Sequence, residues 1–376
     1  MEKTEEKTRL LSLDVFRGMT VAGMILVNNP GTWSAIYAPL RHAEWHGATP
    51  TDFVFPFFLF IVGVAIALAL GRRVASGAVS KEIYIKIFRR AAIIFLLGLF
   101  LAAFPYFDLA TLRIPGVLQR IAVCYLIAAV LFLHFDWKKL TVISAALLFI
   151  YWLLMTLVPV PGCVAASLDD RACNPAAYLD RLFLTEAHMW KQSKVFDPEG
   201  ILSTMPAVVT TISGILAGLW LKKDRPEYEK AAGLLSFGVA LTALGWCWGF
   251  FFPINKSLWT SSYVVYTSGL ALCFLGFCYW TVDIKGYRKW TKPFVIFGVN
   301  ALALFVGSGL MAKTLGLIKV AGPDGKSISL QKWIFDNVFA PLAAPINASL
   351  MYALCFILVW LFLMWLLYRK RIFIKI

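Results

Sequence analysis

Residues 51–70, TDFVFPFFLFIVGVAIALAL, decide the class of this protein. After Asp52 the run contains no charged residue, and its length matches the ~20 residues that an α-helix needs to cross the hydrocarbon core of a bilayer. The whole chain has a similar character: 60% of its 376 residues are hydrophobic, 15% are charged, and the mean hydropathy is +0.74. This composition excludes a soluble globular fold of such length. The sequence therefore predicts a polytopic membrane protein.

Ten apolar runs are predicted to form membrane-spanning helices. They lie at 13–30, 51–70, 88–105, 117–134, 140–158, 201–221, 231–252, 262–281, 293–312 and 347–368. Arg89 and Arg90 interrupt the third run, and small or polar residues dilute the ninth. We expect an all-α fold with about ten transmembrane helices, organised as a single transmembrane domain over residues 1–376. The segment 331–345 mixes aromatic residues with prolines, which favours a re-entrant or interfacial helix over an eleventh span.

Basic residues indicate which loops face the cytoplasm. Most of the 36 Lys and Arg residues lie in short segments on alternate sides of the predicted spans, at 3–9, 72–90, 138–139, 222–230, 285–292 and 369–375. The positive-inside rule assigns these segments to the cytoplasm. Both termini, including the tail 1–12, are then cytoplasmic, and the long loop 159–200 lies outside. The net charge of +15 follows from this topology and favours contact with anionic membrane lipids, not with nucleic acid.

The cysteines leave one question open. Of the seven, five lie in predicted spans, where a free cysteine is usually a small buried hydrophobe. Cys163 and Cys173 share the long outer loop and would either form a disulfide or remain free. Neither histidine nor carboxylate joins them at metal-ligand spacing, so no metal is expected. The tail 1–12 lacks the pattern of a cleavable signal peptide, and the first span is expected to act as the signal anchor.

The densest polar cluster is RHAEWHG at 41–47, which holds two of the four histidines. Polar side chains near a membrane boundary are costly unless they pair with another group or line a wet cavity. Further polar residues at predicted outer boundaries or inside spans are Asn28, Asn29, Asp52, Arg113, Gln119, Arg120, Asp197, Glu199, Asn255, Lys256 and Asn300. We expect them to converge if the spans bundle. For any one of them an ordinary role is the alternative, such as a helix N-cap at Asp52.

Several motifs resemble those of the heparan-α-glucosaminide N-acetyltransferase family. In order they are SLDVFRG (12–18), Asn28, HAEWHGATPTDFVFPFFLFIVG (42–63), RIPGVLQRI (113–121), DPEGILST (197–204), PINKSLWTSSYV (253–264) and GVNAL (298–302). The resemblance implies a multi-span enzyme that takes acetyl from acetyl-CoA and delivers it across a membrane to the amine of a terminal glucosamine. It also implies a catalytic histidine, which matches His42, and an asparagine partner, which matches Asn28.

The residue types suit this chemistry. Acetyl transfer to an amine needs a base that removes a proton and donors that stabilise the tetrahedral oxyanion. His42 is the candidate general base or acetyl-carrying nucleophile, and Asn28 is the candidate oxyanion donor or orienter of the histidine. Either Asp52 or Glu44 could hold the imidazole tautomer. The sequence does not choose between these two carboxylates, nor between an acetyl-histidine relay and a ternary complex.

Two further sets of residues are candidates for binding the two substrates. For acetyl-CoA they are Arg113, Gln119, Arg120 and Asn300, with the cytoplasmic Arg72, Arg73, Arg89 and Arg90 as an alternative. For the sugar they are Glu44, Trp45, His46, Asp197, Glu199, Asn255, Lys256 and Trp259. Carboxylates suit a glucosaminium ion, and an aromatic face suits a sugar ring. His134 and His188 are expected to be structural or solvated.

The acceptor molecule and the membrane that holds the protein are also predicted. With short loops and no domain ahead of the first span, the chain resembles prokaryotic members of the family, for which we expect a bacterial inner (cytoplasmic) membrane and an acceptor other than heparan. An amino-sugar transporter and an O-acetyltransferase acting on a surface glycan are the alternative functions. The aromatic segment WCWGFFF at 246–252 would line the seam of a homodimer or face lipid.

Overall fold

The computed structural model describes residues 10–322 and 326–374. Most of the predicted cytoplasmic tail, and Lys375, therefore lie outside the described residues. The helices are α1 (Leu11–Asn28), α2 (Val54–Ala75), α3 (Lys81–Ala103), α4 (Val117–His134), α5 (Trp137–Leu157), α6 (Pro175–Leu184), α7 (Thr204–Leu221), α8 (Glu227–Trp248), α9 (Ser261–Cys278), α10 (Lys292–Val299), α11 (Ala301–Leu317), α12 (Leu330–Ile334) and α13 (Pro345–Arg369). A 3₁₀ turn, Pro50–Phe53, leads directly into α2, and a π-helical turn, Tyr279–Ile284, extends α9.

The structure confirms an all-α polytopic fold. Within the described residues, eight helices are long and apolar enough to cross a membrane, or nine if α10 and α11 count as one broken span. This count is close to the predicted number of about ten. The helix α3 is not among the eight because Lys86, Arg89 and Arg90 lie within it, although its 23 residues are long enough to cross. The ninth predicted span is divided at Asn300, where α10 and α11 meet at an angle of 84°.

A small hairpin precedes the last span. Strand β1 (Lys319–Ala321) pairs antiparallel with β2 (Ser327–Ser329), with Val320 opposite Ile328. The short α12 and a π-helical turn, Phe335–Phe339, follow, and Phe335 packs with Ala348 and Tyr352 of α13. The segment 331–345 is thus not an eleventh span, as its composition predicts.

Two glycines let α2 and α7 pack with their backbones in contact. A Cβ at Gly63 would lie 1.9 Å from the carbonyl oxygen of Thr211, and a Cβ at Gly214 would lie 1.9 Å from that of Phe60. Small residues allow this close approach between membrane helices, where van der Waals packing is a main driving force. The contact fixes the start of α7 beside the start of α2, and Asp52 lies in the turn just before α2.

The basic segments lie at the other end of the same helices. At the C-terminal end of α2, a Cβ placed on Gly71 would be 2.6 Å from Nζ of Lys222, which follows α7. The ammonium of Lys223 lies 5.5 Å from the ring of Trp137 at the start of α5. His134, the last residue of α4, contacts the hydroxyl of Tyr84 near the start of α3. The predicted cytoplasmic connections therefore converge at one end, opposite Asp52.

Candidate active site

A capping box fixes the carboxylate of Asp52 before α2. Its Oδ2 accepts hydrogen bonds from the backbone N–H of Thr49 at 3.0 Å and from the Thr49 hydroxyl at 3.1 Å. The backbone N–H of Ala43 donates to the same oxygen at 3.0 Å. The side chain of Asp52 is only 1% exposed. Such a reciprocal cap satisfies the free donors of a helix start, and here it also closes the loop 43–49 onto α2.

The other oxygen of Asp52 faces His42. His42 Nδ1 lies 2.6 Å from Asp52 Oδ1, and the imidazole is half exposed. Because an imidazole nitrogen holds either a proton or a lone pair, this short contact with a carboxylate assigns the proton of neutral His42 to Nδ1. The other ring nitrogen, Nε2, then carries the lone pair. This is the arrangement of a carboxylate that orients a basic histidine.

Lys256 completes a three-residue cluster. Its Nζ lies 3.0 Å from His42 Nδ1, 3.4 Å from His42 Nε2 and 3.5 Å from Asp52 Oδ1. Burial lowers the pKa of Lys256, although the charges of Asp52 and Glu199 act to raise it. Since Nδ1 is assigned as the donor to Asp52, the attractive partner of the ammonium is the carboxylate.

The loop that carries Lys256 is held by its own polar side chains. The buried Asn255 accepts a hydrogen bond from the backbone N–H of Leu258 at 2.9 Å, and Thr260 accepts one from the backbone N–H of Asn255 at 3.0 Å. A single β-bridge joins Asn255 to Gly47, where the backbone N–H of Gly47 donates to Ile254 O at 2.7 Å. Asn255 therefore supports the loop that carries Lys256 and does not line the cavity described below, although it was predicted to contact the sugar.

These groups open into a cavity of about 410 Å³, which we term the candidate cavity. Its polar lining consists of Asn28, His42, Glu44, Thr51, Asp52, Arg113, Arg171, Glu199, Lys256 and Ser257, with the indoles of Trp45 and Trp190 beside them. Asn28 ends α1 and is exposed. Within the described residues, no protein group hydrogen-bonds to its amide. The neighbouring Asn29 is buried and bonds back to the Ile25 carbonyl.

A guanidinium and two carboxylates form the opposite wall. Arg113 donates to Asp197 through Nε at 2.8 Å and through Nη2 at 2.6 Å, and Nη2 also donates to Glu199. Burial acts to lower the pKa of Arg113, but the two carboxylates outweigh it and raise that pKa. Asp197 is fully buried, whereas Glu199 faces the candidate cavity. With two protein partners, Arg113 is not available as a free cation for the phosphates of acetyl-CoA.

The long loop folds over the 41–47 cluster. Trp45 Nε1 donates to Leu168 O at 2.8 Å, and the guanidinium of Arg171 lies 5.3 Å from the Trp45 ring. His46 Nε2 lies 2.9 Å from Asp169 Oδ1. Cys163 and Cys173 are disulfide-bonded, which answers the question that the sequence left open. His46 thus contacts the loop, and His42 contacts the candidate cavity.

Seven predicted binding residues do not line the candidate cavity: His46, Asp197 and Asn255, described above, and Trp259, Arg120, Gln119 and Asn300. Trp259 is 1% exposed and donates from Nε1 to Thr210, so its ring is core and cannot stack on a sugar. Arg120 is 2% exposed, lies 5.1 Å from that ring and donates to Gly200 O at 3.1 Å. Gln119 is buried in α4, where its amide lies against Gly98 and Gly116.

Of these residues, Asn300 differs most from expectation. Its Nδ2 donates to Ile372 O at 3.0 Å, and its Oδ1 accepts from the backbone N–H of Ile374 at 2.9 Å. It therefore ties the segment after α13 to the break between α10 and α11. The predicted convergence of Asn300 with the outer polar residues is not seen.

Sequence reasoning missed other residues that shape the site. Thr49 forms the capping box, and the pattern Thr49-x-x-Asp52 before an apolar run is a recognisable signal for it. Arg171, Trp190 and Ser257 line the candidate cavity but carry no local signal, because the long loop brings two of them there. Within the described residues, no group of three or more His, Cys, Asp or Glu side chains could hold a metal ion.

The fold and the site define a class: a polytopic helical membrane protein whose candidate cavity, at one end of the bundle, contains a carboxylate-oriented histidine. A sequence profile described as heparan-alpha-glucosaminide N-acetyltransferase, catalytic, matches residues 9–245. The human heparan-alpha-glucosaminide N-acetyltransferase is 31% identical over 317 residues, which cover 68% of this chain and 46% of that protein. The mouse protein of the same name is 31% identical over 316 residues, with the same shares. This chain belongs to the heparan-α-glucosaminide N-acetyltransferase family, and it spans just under half the length of these curated relatives.

Proposed function

We propose that this protein is a transmembrane acetyltransferase that moves acetyl from acetyl-CoA to the amine of a terminal glucosamine, or a related amino sugar, on the outer face. The observation that carries the proposal is the 2.6 Å contact between His42 Nδ1 and the buried Asp52 carboxylate. Because this contact assigns the proton to Nδ1, Nε2 holds the lone pair and can act as the base in the candidate cavity. The names of the human and mouse relatives support the same reaction type.

In the proposed reaction His42 takes up a proton and later releases it. A glucosaminium gives up a proton to Nε2, and the freed amine attacks the thioester carbonyl, so that a C–N bond forms as the carbonyl π electrons move to oxygen. Collapse of this tetrahedral intermediate breaks the C–S bond, and the imidazolium returns its proton to the departing CoA thiolate. The nitrogen still carries two hydrogens after the attack and loses one of them to solvent as the neutral amide forms. Asp52 stabilises the imidazolium while it exists. The histidine ends the cycle in its starting state.

Asn28 is the candidate donor to the oxyanion. Its amide N–H groups are without protein partners among the described residues, and Asn28 lines the same cavity as His42. A preorganised donor at a developing oxyanion is worth about 10²- to 10³-fold in rate. The tautomer of His42 is already set by Asp52, so we assign Asn28 to the oxyanion and not to orientation of the ring. Glu199 offers a carboxylate to the amine of the acceptor.

The test uses the purified full chain in detergent with acetyl-CoA and methyl β-glucosaminide. We expect CoA release and an N-acetylated sugar, detected by mass spectrometry, and we expect His42→Ala to abolish both. His134→Ala is the matched control, because His134 is exposed at the opposite end of α4. Full activity of folded His42→Ala would refute the role of His42. Uptake of the sugar into vesicles without CoA release would instead support a transporter.

A single-turnover experiment separates the two roles proposed for His42. With acetyl-labelled acetyl-CoA and no acceptor, an acetyl relay requires label on the His42 ring, which mass spectrometry of the intact protein would detect immediately after mixing. A ternary complex, in which His42 only moves protons, leaves the protein unlabelled. Both roles use Nε2, since Asp52 holds Nδ1.

We also propose a bacterial inner membrane as the location, with the basic segments of the chain facing the cytoplasm. The convergence of Gly71, Lys222 and Trp137 at the end opposite His42 supports one cytoplasmic face. A homodimer through the segment 246–252 is a further proposal. Trp246, Phe250 and Phe251 are exposed there, as they would be at a seam or in lipid.

A further inference from the structure

We propose that an apolar groove beside the candidate cavity binds the hydrocarbon chain of the acceptor, so that the acceptor is a membrane-anchored amino sugar. This inference rests on the proposed acetyltransferase function and names its acceptor class. The groove has a volume of about 500 Å³ and lies between α3, α4, α5 and α7.

One face of each surrounding helix lines this groove. On α4 the lining positions are Gln119, Val123 and Ile127, spaced four residues apart and therefore on one side of the helix. Phe95 of α3, Leu147 of α5 and Val208 of α7 form the other walls.

The groove runs into the depth of the membrane. Positions 119 to 127 of α4 cover about 12 Å at 1.5 Å per residue, and α4 is one of the helices long and apolar enough to span. Ile127 is 40% exposed, so the groove opens sideways towards lipid. A chain already in the bilayer could enter there without leaving the hydrocarbon.

The groove and the candidate cavity share Glu199. This residue lines both, and its carboxylate accepts from Arg113 while retaining further acceptor sites. An amino sugar whose ammonium meets Glu199 would place its ring on the cavity side and its lipid chain on the groove side. Glu199 therefore borders both a polar headgroup site and an apolar chain site.

A saturated chain suits this lining better than the pantetheine arm of acetyl-CoA does. That arm carries two amides, and each needs a hydrogen-bond partner when it is buried. The walls formed by Val123, Ile127 and Leu147 offer none, and the polar side chains of the groove, Gln119, Glu199 and Thr204, lie towards the starts of α4 and α7. A saturated chain needs no such partners.

The test uses the full chain in lipid nanodiscs and compares two acceptors, methyl β-glucosaminide and dodecyl β-glucosaminide. They carry the same amino sugar and differ only in the length of the alkyl chain. We expect a lower KM for the dodecyl compound. Val123→Trp fills the groove and should raise that KM severalfold, because the indole occupies the space that the alkyl chain would take. The KM for methyl β-glucosaminide should not change.

Val142→Trp is the matched control, since Val142 lies on α5 and is 68% exposed outside the groove. If Val123→Trp does not fold, Leu147→Trp takes its place, because Leu147 lines the groove from α5. Native mass spectrometry measures binding of dodecyl β-glucosaminide, which both groove variants should weaken.

Three outcomes would overturn the inference. One is equal KM values for the two acceptors in wild type, and another is a rise in the KM for acetyl-CoA in the groove variants. The third is dodecyl binding that is unaffected by either variant. Failure of the proposed function has a different signature: the methyl acceptor is not acetylated at all, while binding of the dodecyl compound to the groove still reports on this inference.

Discussion

At the scale of single residues, the two carboxylate oxygens of Asp52 have different roles: one stabilises the fold and the other faces the candidate catalytic residues. Oδ2 accepts three hydrogen bonds that close the loop before α2. Oδ1 faces His42 and Lys256. Because the same capping box that starts the helix also fixes the carboxylate, the orientation of the His42 ring is set when the chain folds. Glu44, the other carboxylate that the sequence allowed, lines the cavity, and Arg171 donates a hydrogen bond to its backbone carbonyl at 3.0 Å.

The variant Asp52→Asn tests this arrangement. An amide can still accept the bonds from Thr49 and Ala43, but its NH₂ group facing Nδ1 would favour the wrong tautomer of His42. Loss of the equivalent carboxylate in a catalytic dyad costs about 10⁴-fold, and we expect kcat to fall by about 10²- to 10⁴-fold. Asp169→Asn, at the exposed partner of His46, is the control. A folded Asp52→Asn protein with near-normal kcat would contradict the assignment.

At the scale of elements, two buried charged residues hold the turn 197–201. Asp180 of α6 accepts from the backbone N–H of Asp197 at 3.1 Å and from that of Ile201 at 2.9 Å. Arg120 of α4 donates to Gly200 O. A Cβ at Gly200 would lie 2.1 Å from the Asp180 carboxylate, so only glycine fits. This turn places Asp197 and Glu199 next to Arg113.

Asp180 should make the stability of the protein depend on pH. Burial raises the pKa of Asp180 from 3.8 to about 6, against the lowering effect of its two backbone donors. The folded state therefore holds this proton more tightly than the unfolded state does. The resulting stabilisation, on the order of 3 kcal/mol, is complete below about pH 4 and is lost as the pH rises through 6.

We expect thermal unfolding of Asp180→Asn to show a flatter pH dependence than wild type between pH 4 and 7. Asp224→Asn, at an exposed position after α7, should retain the wild-type slope. Equal slopes for wild type and Asp180→Asn would mean that Asp180 is not protonated in the folded protein.

The sequence predicted the helices better than their contacts. Hydrophobic length located the spans, because burial in lipid constrains every residue of a spanning helix. It did not show which side of a helix a polar residue faces. Trp259 and Arg120 look like outer-boundary residues in sequence, yet they contact each other in the core. Asn300 looks like an intramembrane polar residue, but its partners lie 72 and 74 residues later.

The residues of the candidate site that lie in short sequence motifs were predicted correctly as neighbours. His42, Asn28 and Asp52 were identified from motifs, and the structure brings all three to one cavity. Asp180 and Arg171 were missed because each depends on how a long loop folds back over the bundle. Local patterns specify a cap or a span, whereas the packing of the long loop depends on contacts between residues distant in sequence.

At the scale of the whole molecule, the two ends of the bundle have different chemistry. The basic connections meet at one end, near Gly71 and Trp137. At the other end, the disulfide-bonded loop covers the candidate cavity. Acetyl-CoA is made in the cytosol and the proposed acceptor lies outside, so the account requires acetyl to cross from one face to the other.

The most direct measurement uses proteoliposomes that enclose acetyl-CoA, with methyl β-glucosaminide supplied only outside. The account predicts N-acetylated sugar in the outer solution for wild type and for His134→Ala, and none for His42→Ala. Product that forms only when both substrates are on the same face, or product that persists in folded His42→Ala, would contradict it.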